Sequence, residues 1–231
     1  MDTNVRTSFA AKLQAYANCP AVAKDDVLVA IGTQIYGVIL NESENMENAE
    51  NKENAENKEN KENDPMKVTC NSSEVIIDFD YMKQFMKDVF LSYDCTEEQA
   101  EVSSEVLIEA DKRGIDSHGL GRLKPIYCDR IDKGIPFPNK PISVLKETDT
   151  TALVDGNLGL GLYIGPHCMN MAIQKAKKYG VGFVACQNST HYGIAGYYAT
   201  MATEQGCVGF TGTNARPSIA PTFGVEPMLG E

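Results

Sequence analysis

VGFVACQNSTHYGIAGYYATMATEQGCVGFTGT, from Val181 to Thr213, decides the fold class. VGFVACQ is a short apolar run of the kind found in buried strands. GIAGYYATMATEQ reads as a helix stopped by Gly206, and CVGFTGT as a second strand. Upstream, ISVLKET and TTALVDG read as two more short strands. PHCMNMAIQKAKKY, opened by Pro166 and closed by Gly180, reads as the helix that leads into VGFVACQ. Strand, helix, strand, helix, strand is an α/β arrangement, here with an α+β-like mixed sheet.

A helical subdomain precedes it. In DFDYMKQFMKDVFLSY (Asp78 to Tyr93), residues Phe79, Met82, Met86, Val89 and Tyr93 recur at helical spacing behind an aspartate able to cap the start. Thr96 followed by Gln99 is a capping box opening EEQAEVSSEVLIEADKR, which Gly114 stops. A third helix is expected from Ser117–Gly119 to Gly134, limited or kinked by Pro125. The resulting division is 66–140 for the helical subdomain and 141–231 for a partial cofactor and substrate domain. Residues 41–65 form a linker built on the triplets SEN MEN AEN KEN AEN KEN KEN. Their period of three offers a helix no consistent apolar face, so the segment is expected to be disordered. Residues 1–40 form an N-terminal extension without a functional reading.

Of the net charge of −11, the stretch Asn41 to Asp64 holds −6, from three lysines against nine acidic residues. An acidic balance without clustered Lys and Arg argues against a nucleic-acid partner. The longest apolar-leaning run, VLVAIGTQIYGVIL (Val27 to Leu40), is too short and too polar to span a bilayer. The first residues lack the apolar core of a secretory signal, so the cytosol is the expected location, although their Arg and Ser also fit an organellar presequence. Seven cysteines are scattered without a CxxC pair, which reads as reduced thiols, and the histidines lack metal-site spacing, so no metal is expected.

NLGLGLYIG (Asn157 to Gly165) follows a strand and precedes a helix, as a dinucleotide fingerprint does. Its glycines, however, are spaced GxGxxxG, and no acidic residue follows at the distance needed to hold a ribose. A turn that lets backbones pack closely explains the glycines, and the domain is read as non-Rossmann.

Two histidines lie in glycine-bearing connections, where scaffolds present reactive groups. In RGIDSHGLGR, a Ser117 cap would place His118 in the first helical turn with Arg122 four residues on. Imidazole and guanidinium would then share a face beside the positive end of a helix, able to hold a carboxylate and protonate a neighbouring carbonyl oxygen. A solvated helix start is the competing reading. In NSTHYGIAGYY, His191 follows the carboxyl end of a strand, where ligands gather in α/β sheets.

RGIDSHGLGRL, TALVDGNLGLG, GVGFVACQNSTHYGIAGYYATMA and GFTGTNARPSIAPTFGVEPMLG together resemble the type-2 malate/L-lactate dehydrogenase family, in the family's order, from about Val75 to Gly230. The resemblance implies NAD- or NADP-dependent interconversion of a 2-oxo acid and a 2-hydroxy acid on a non-Rossmann fold. It also implies homodimers with active sites near the subunit interface. It makes His118 the catalytic acid/base, with Ser117 and Arg122 supporting it, and His191 a second catalytic or substrate-contacting histidine. Thr213 and Asn214 would lie beside the nicotinamide. Family members continue past EPMLG. That part is expected to carry further strands, an aspartate paired with the histidine and much of the cofactor pocket, and to cover apolar surface on VGFVACQ and CVGFTGT. The other reading is a truncated, inactive member acting as a binding or regulatory protein.

Overall fold

The structure, a computed structural model, describes residues 32–40, 69–71, 74–215 and 217–230. The Glu-Asn linker and the first part of the N-terminal extension lie outside the described residues. Strand β1 (Gly32–Leu40) comes from the rest of that extension. It runs through the middle of a mixed sheet whose order is β4-β5-β6-β1-β7, with β4 Ser143–Glu147, β5 Thr151–Asp155, β6 Val181–Ser189 and β7 Cys207–Thr213. Strands β5 and β6 are parallel, while β1 lies antiparallel to both β6 and β7. With β1 antiparallel to both neighbours, the sheet departs from the mostly parallel Rossmann order.

Alternation along β1 sets its two faces. Gln34, Tyr36 and Val38 point inward and are buried, whereas Ile35 and Ile39 point outward. Helices α4 (Gly161–Tyr179) and α5 (Ala195–Thr203) pack on the inner face. On the outer face Phe183 and Phe210, both paired with Gly37, meet edge to face at 5.2 Å. Ile35, Ile39, Phe183, Val208 and Phe210 are each more than a third exposed there. Strands β6 and β7 therefore bury one face, not two.

Helices α1 (Phe79–Ser92) and α2 (Glu97–Lys112) form where the apolar spacing placed them. The side chain of Asp78 caps α1, and Thr96 and Gln99 close the capping box of α2 reciprocally at 3.2 and 3.0 Å. Gln99 also donates to the Pro138 carbonyl at 2.7 Å, tying the helix start to the loop before β4. Thr96→Ala removes the cap and is expected to lower stability by about 1 kcal/mol. Urea denaturation checks this, and an unchanged midpoint would contradict it.

Two helix boundaries differ from the expected ones. Helix α4 begins at Gly161, so Pro166 lies inside its first turns rather than opening it. The segment after α2 is not one helix. A 3-10 turn (Leu120–Arg122) leads into a π-helical turn (Leu123–Cys128) and the short helix α3 (Asp129–Asp132). Pro125 sits in the wide turn, where its missing N–H and the bulk of its ring are accommodated. Two small hairpin sheets complete the described chain, β2 (Thr69–Asn71) with β3 (Glu74–Ile76) and β8 (Pro217–Ile219) with β9 (Leu229–Gly230). Among the described residues no helix is long and apolar enough to cross a membrane.

Candidate active site

The two histidine connections meet. The rings of His118 and His191 stack with centroids 5.8 Å apart and planes 20° from parallel, although 72 residues of chain separate them. Helix α2 supplies the support under the first connection. The carboxylate of Asp111 accepts the Leu120 N–H at 2.8 Å, capping the 3-10 turn in place of Ser117. A Cβ on Gly119 would fall 2.0 Å from that carboxylate, which is why a glycine follows His118. Ser117, released from capping, bonds instead through Oγ to His118 Nδ1 at 2.8 Å. Arg122 Nε donates to the Ser117 carbonyl, closing the turn on itself.

The second connection is held from below by α4. Thr190 Oγ1 donates to the Gly159 carbonyl at 2.8 Å and accepts the Gly161 N–H at 3.0 Å. A Cβ on Gly161 would sit 2.3 Å from the Thr190 oxygen and 2.5 Å from that of His191. The glycines of NLGLGLYIG thus serve close backbone packing beneath a histidine. Asp155 at the end of β5 accepts from Asn157, Gln187 and Asn188, fixing the same corner.

Tyr127, on the π-helical turn, reaches His191 Nδ1 at 2.7 Å, and the Gly193 N–H approaches the same nitrogen at 3.3 Å. Burial holds the Tyr127 hydroxyl well above its ordinary pKa, so it is a neutral donor. An N–H and an O–H both aimed at Nδ1 leave the ring proton on Nε2. Burial first, and then His118, Arg130 and Arg122, push the His191 pKa down to about 3. His191 is therefore neutral at ordinary pH.

A pH dependence follows. The unfolded ring takes up a proton near pH 6.5, whereas the folded ring refuses it until about pH 3. Below 6.5 the unfolded state binds more protons than the native state, so stability falls with pH by up to about 1.4 kcal/mol per unit. The expected result is a steeper loss of thermal stability between pH 6.5 and 5 in the native protein than in His191→Asn. Parallel slopes would contradict the buried neutral ring.

Arg130 and Tyr127 line a small crevice with His191, Thr190, Ile126 and Pro136. Sequence reasoning missed both Tyr127 and Arg130, because helical spacing from His118 does not hold across a π-helical turn. Tyr192, Thr211, Gly212 and Thr213 line a second cleft, of about 310 Å³. Thr213 therefore lies where a ligand could sit. Asn214, whose carbonyl accepts from Thr213 Oγ1, follows it out of β7. The hydroxyls of Tyr192 and Thr211 are buried and interact with each other. Hydroxyls lining a cleft can donate to and accept from a carboxamide, the chemistry of the amide end of a nicotinamide. Among the described residues no cluster of metal-ligating side chains occurs.

Comparisons with known proteins identify the family. The malate/L-lactate dehydrogenase family matches residues 77–231. The L-sulfolactate dehydrogenase of Methanocaldococcus jannaschii is 43% identical over 148 residues, 64% of this chain and 43% of the relative. A malate dehydrogenase of Pyrococcus abyssi is 46% identical over 151 residues, 65% of this chain and 41% of the relative. The crystal structure of malate dehydrogenase from Entamoeba histolytica superposes with a TM-score of 0.63 at 48% identity, covering 71% of this chain and 44% of that one. The chain spans less than half the length of these curated relatives. By its matched residues and by its fold, the chain belongs to the malate/L-lactate dehydrogenase family.

Proposed function

We propose that the protein is an NAD- or NADP-dependent oxidoreductase of the malate/lactate type, interconverting a 2-oxo acid and a 2-hydroxy acid. The observation that carries this reading is the stacked pair of histidines in unlike environments, with Arg122 and Arg130 near by. A 2-oxo acid presents a carboxylate and an adjacent carbonyl. A guanidinium matches the first, and an imidazole beside it reaches the second.

His118 is the acid/base. The Ser117 hydroxyl bonds its Nδ1, and its Nε2 gives a proton to the carbonyl oxygen on reduction and takes it back on oxidation. His191 stays neutral and offers its Nε2–H as a fixed donor that orients the same oxygen. Arg122, braced by the Ser117 carbonyl, keeps further donors of its fork for the carboxylate. The nicotinamide, when bound, supplies or accepts the hydride at C2. Thr213, with Tyr192 and Thr211 beside it, would hold the amide end of that group. Cytosolic homodimers complete the proposal.

The experiment is oxidation of NADH and NADPH by the protein across a panel of 2-oxo acids that includes oxaloacetate, pyruvate and sulfopyruvate. Turnover with at least one acid is the expected result. Binding of NADH with no turnover of any acid would favour the inactive, partner-binding reading instead.

A further inference from the structure

We infer that Gln34 is a positioning residue for the turn that carries His191, so that strand β1 is part of the active site and not only of the sheet. The inference rests on the reading of that site given above. Strand β1 lies outside residues 77–231, the part matched by the family, and is supplied by the N-terminal segment.

Gln34 is 2% exposed, and all of its polar atoms are used. Its Nε2 donates to the Thr190 carbonyl at 3.1 Å. Its Oε1 accepts from the Tyr36 hydroxyl at 2.7 Å and from Ser189 Oγ at 2.9 Å. The Thr190 carbonyl can only accept, which settles that Nε2 faces it and Oε1 faces the two hydroxyls. Ser189 and Thr190 are the two residues immediately before His191, and both are buried. One side chain from β1 therefore grips the backbone and side chain of the residues that aim the histidine.

From the opposite side, Thr190 Oγ1 is gripped by Gly159 and Gly161. The turn is clamped between α4 and β1, and the His191 ring is then met by Tyr127 from the π-helical turn. A ring held within a fraction of an ångström is what catalytic geometry demands, and a shift of about 1 Å costs about 10²-fold in rate.

Gln34→Glu is nearly isosteric and separates positioning from packing. The carboxylate still accepts from Tyr36 and Ser189, but it cannot donate to the Thr190 carbonyl and repels it. When protonated it donates again. Gln34→Met, which keeps the volume and removes every hydrogen bond, gives a second variant without buried charge. Val38→Ala weakens the far end of the same strand and leaves the Gln34 bonds in place.

The measurement is the nitrogen-15 NMR signature of the His191 ring in the full chain. In the native protein it reports a single neutral tautomer with the proton on Nε2. In Gln34→Glu near neutral pH that signature is expected to broaden or split between tautomers, and to return on acidification as the carboxyl takes its proton. In Gln34→Met it is expected to change in the same way without that return. In Val38→Ala it stays native. A native signature in both Gln34 variants, or an equal change in Val38→Ala, would overturn the inference and leave Gln34 as packing.

Turnover gives the second readout, with kcat in Gln34→Glu expected to fall about 10²-fold and KM to stay nearly unchanged. If the native protein reduces no 2-oxo acid, the functional reading fails, while the ring signature still decides whether Gln34 positions His191.

Discussion

Replacing His118 by asparagine is expected to lower turnover by about 10²–10⁴-fold while the fold persists, the loss typical of removing a general acid. The side chain is half-buried on a connection, not in the core, and asparagine keeps a polar atom near the Ser117 hydroxyl. The Asp111 cap on Leu120 and the Gly119 contact are backbone features that the substitution leaves alone. The thermal midpoint should therefore stay close to that of the native protein. The His191→Asn variant separates the two rings. If His118 carries the proton, the alkaline or acid limb of the kcat/KM profile disappears in His118→Asn and survives, at lower rate, in His191→Asn. A larger loss and a missing limb in His191→Asn would move the acid/base role to the buried ring, whose Nδ1 is braced by Tyr127.

A chain lacking residues 1–40 is expected to lose cooperative folding. Strand β1 pairs with β6 along one edge and β7 along the other, so its removal leaves two ladders unpaired in the middle of the sheet. Its inward residues are core. Tyr36 and Val38 are fully buried, and Tyr36 meets the ring of Tyr198 edge to face at 5.8 Å. Losing an aromatic of this kind costs about 3–5 kcal/mol, and a domain of ordinary stability has only about 5–15 kcal/mol in all. Circular dichroism over a temperature ramp decides this. A sharp melt within a few degrees of the full chain would show that β1 is dispensable to the sheet.

Local signals in the sequence identified most of the elements. Asp78 and the Thr96–Gln99 box mark helix starts that the structure keeps, because capping depends on residues three apart. The strands ISVLKET, TTALVDG, VGFVACQ and CVGFTGT are likewise read from short runs. The GxGxxxG spacing pointed away from a dinucleotide fingerprint, and in the structure Gly161 lies against backbone oxygens.

What local signals could not reveal was pairing. GTQIYGVIL shows a strand-like alternation, but nothing in it says that it belongs between β6 and β7, since its partners lie far along the chain and beyond the Glu-Asn triplets. Ser117 looked like a helix cap because serine commonly is one. Asp111, remote in sequence and close in space, took that role and left Ser117 to the imidazole. Tyr127 and Arg130 were hidden by the π-helical turn around Pro125, which breaks the three-and-four spacing by which helix faces are read. His118 and His191 were each visible as histidines in glycine-bearing connections, and the fold supplied the fact that they stack.

Transfer of deuterium from C4-deuterated NADH or NADPH to a 2-oxo acid is the decisive measurement. Product labelled at C2 is expected with the native protein, with the rate at which the label appears reduced by about 10²-fold or more in His118→Asn. Product that forms without deuterium at C2, or labelling at an undiminished rate in His118→Asn, would contradict it.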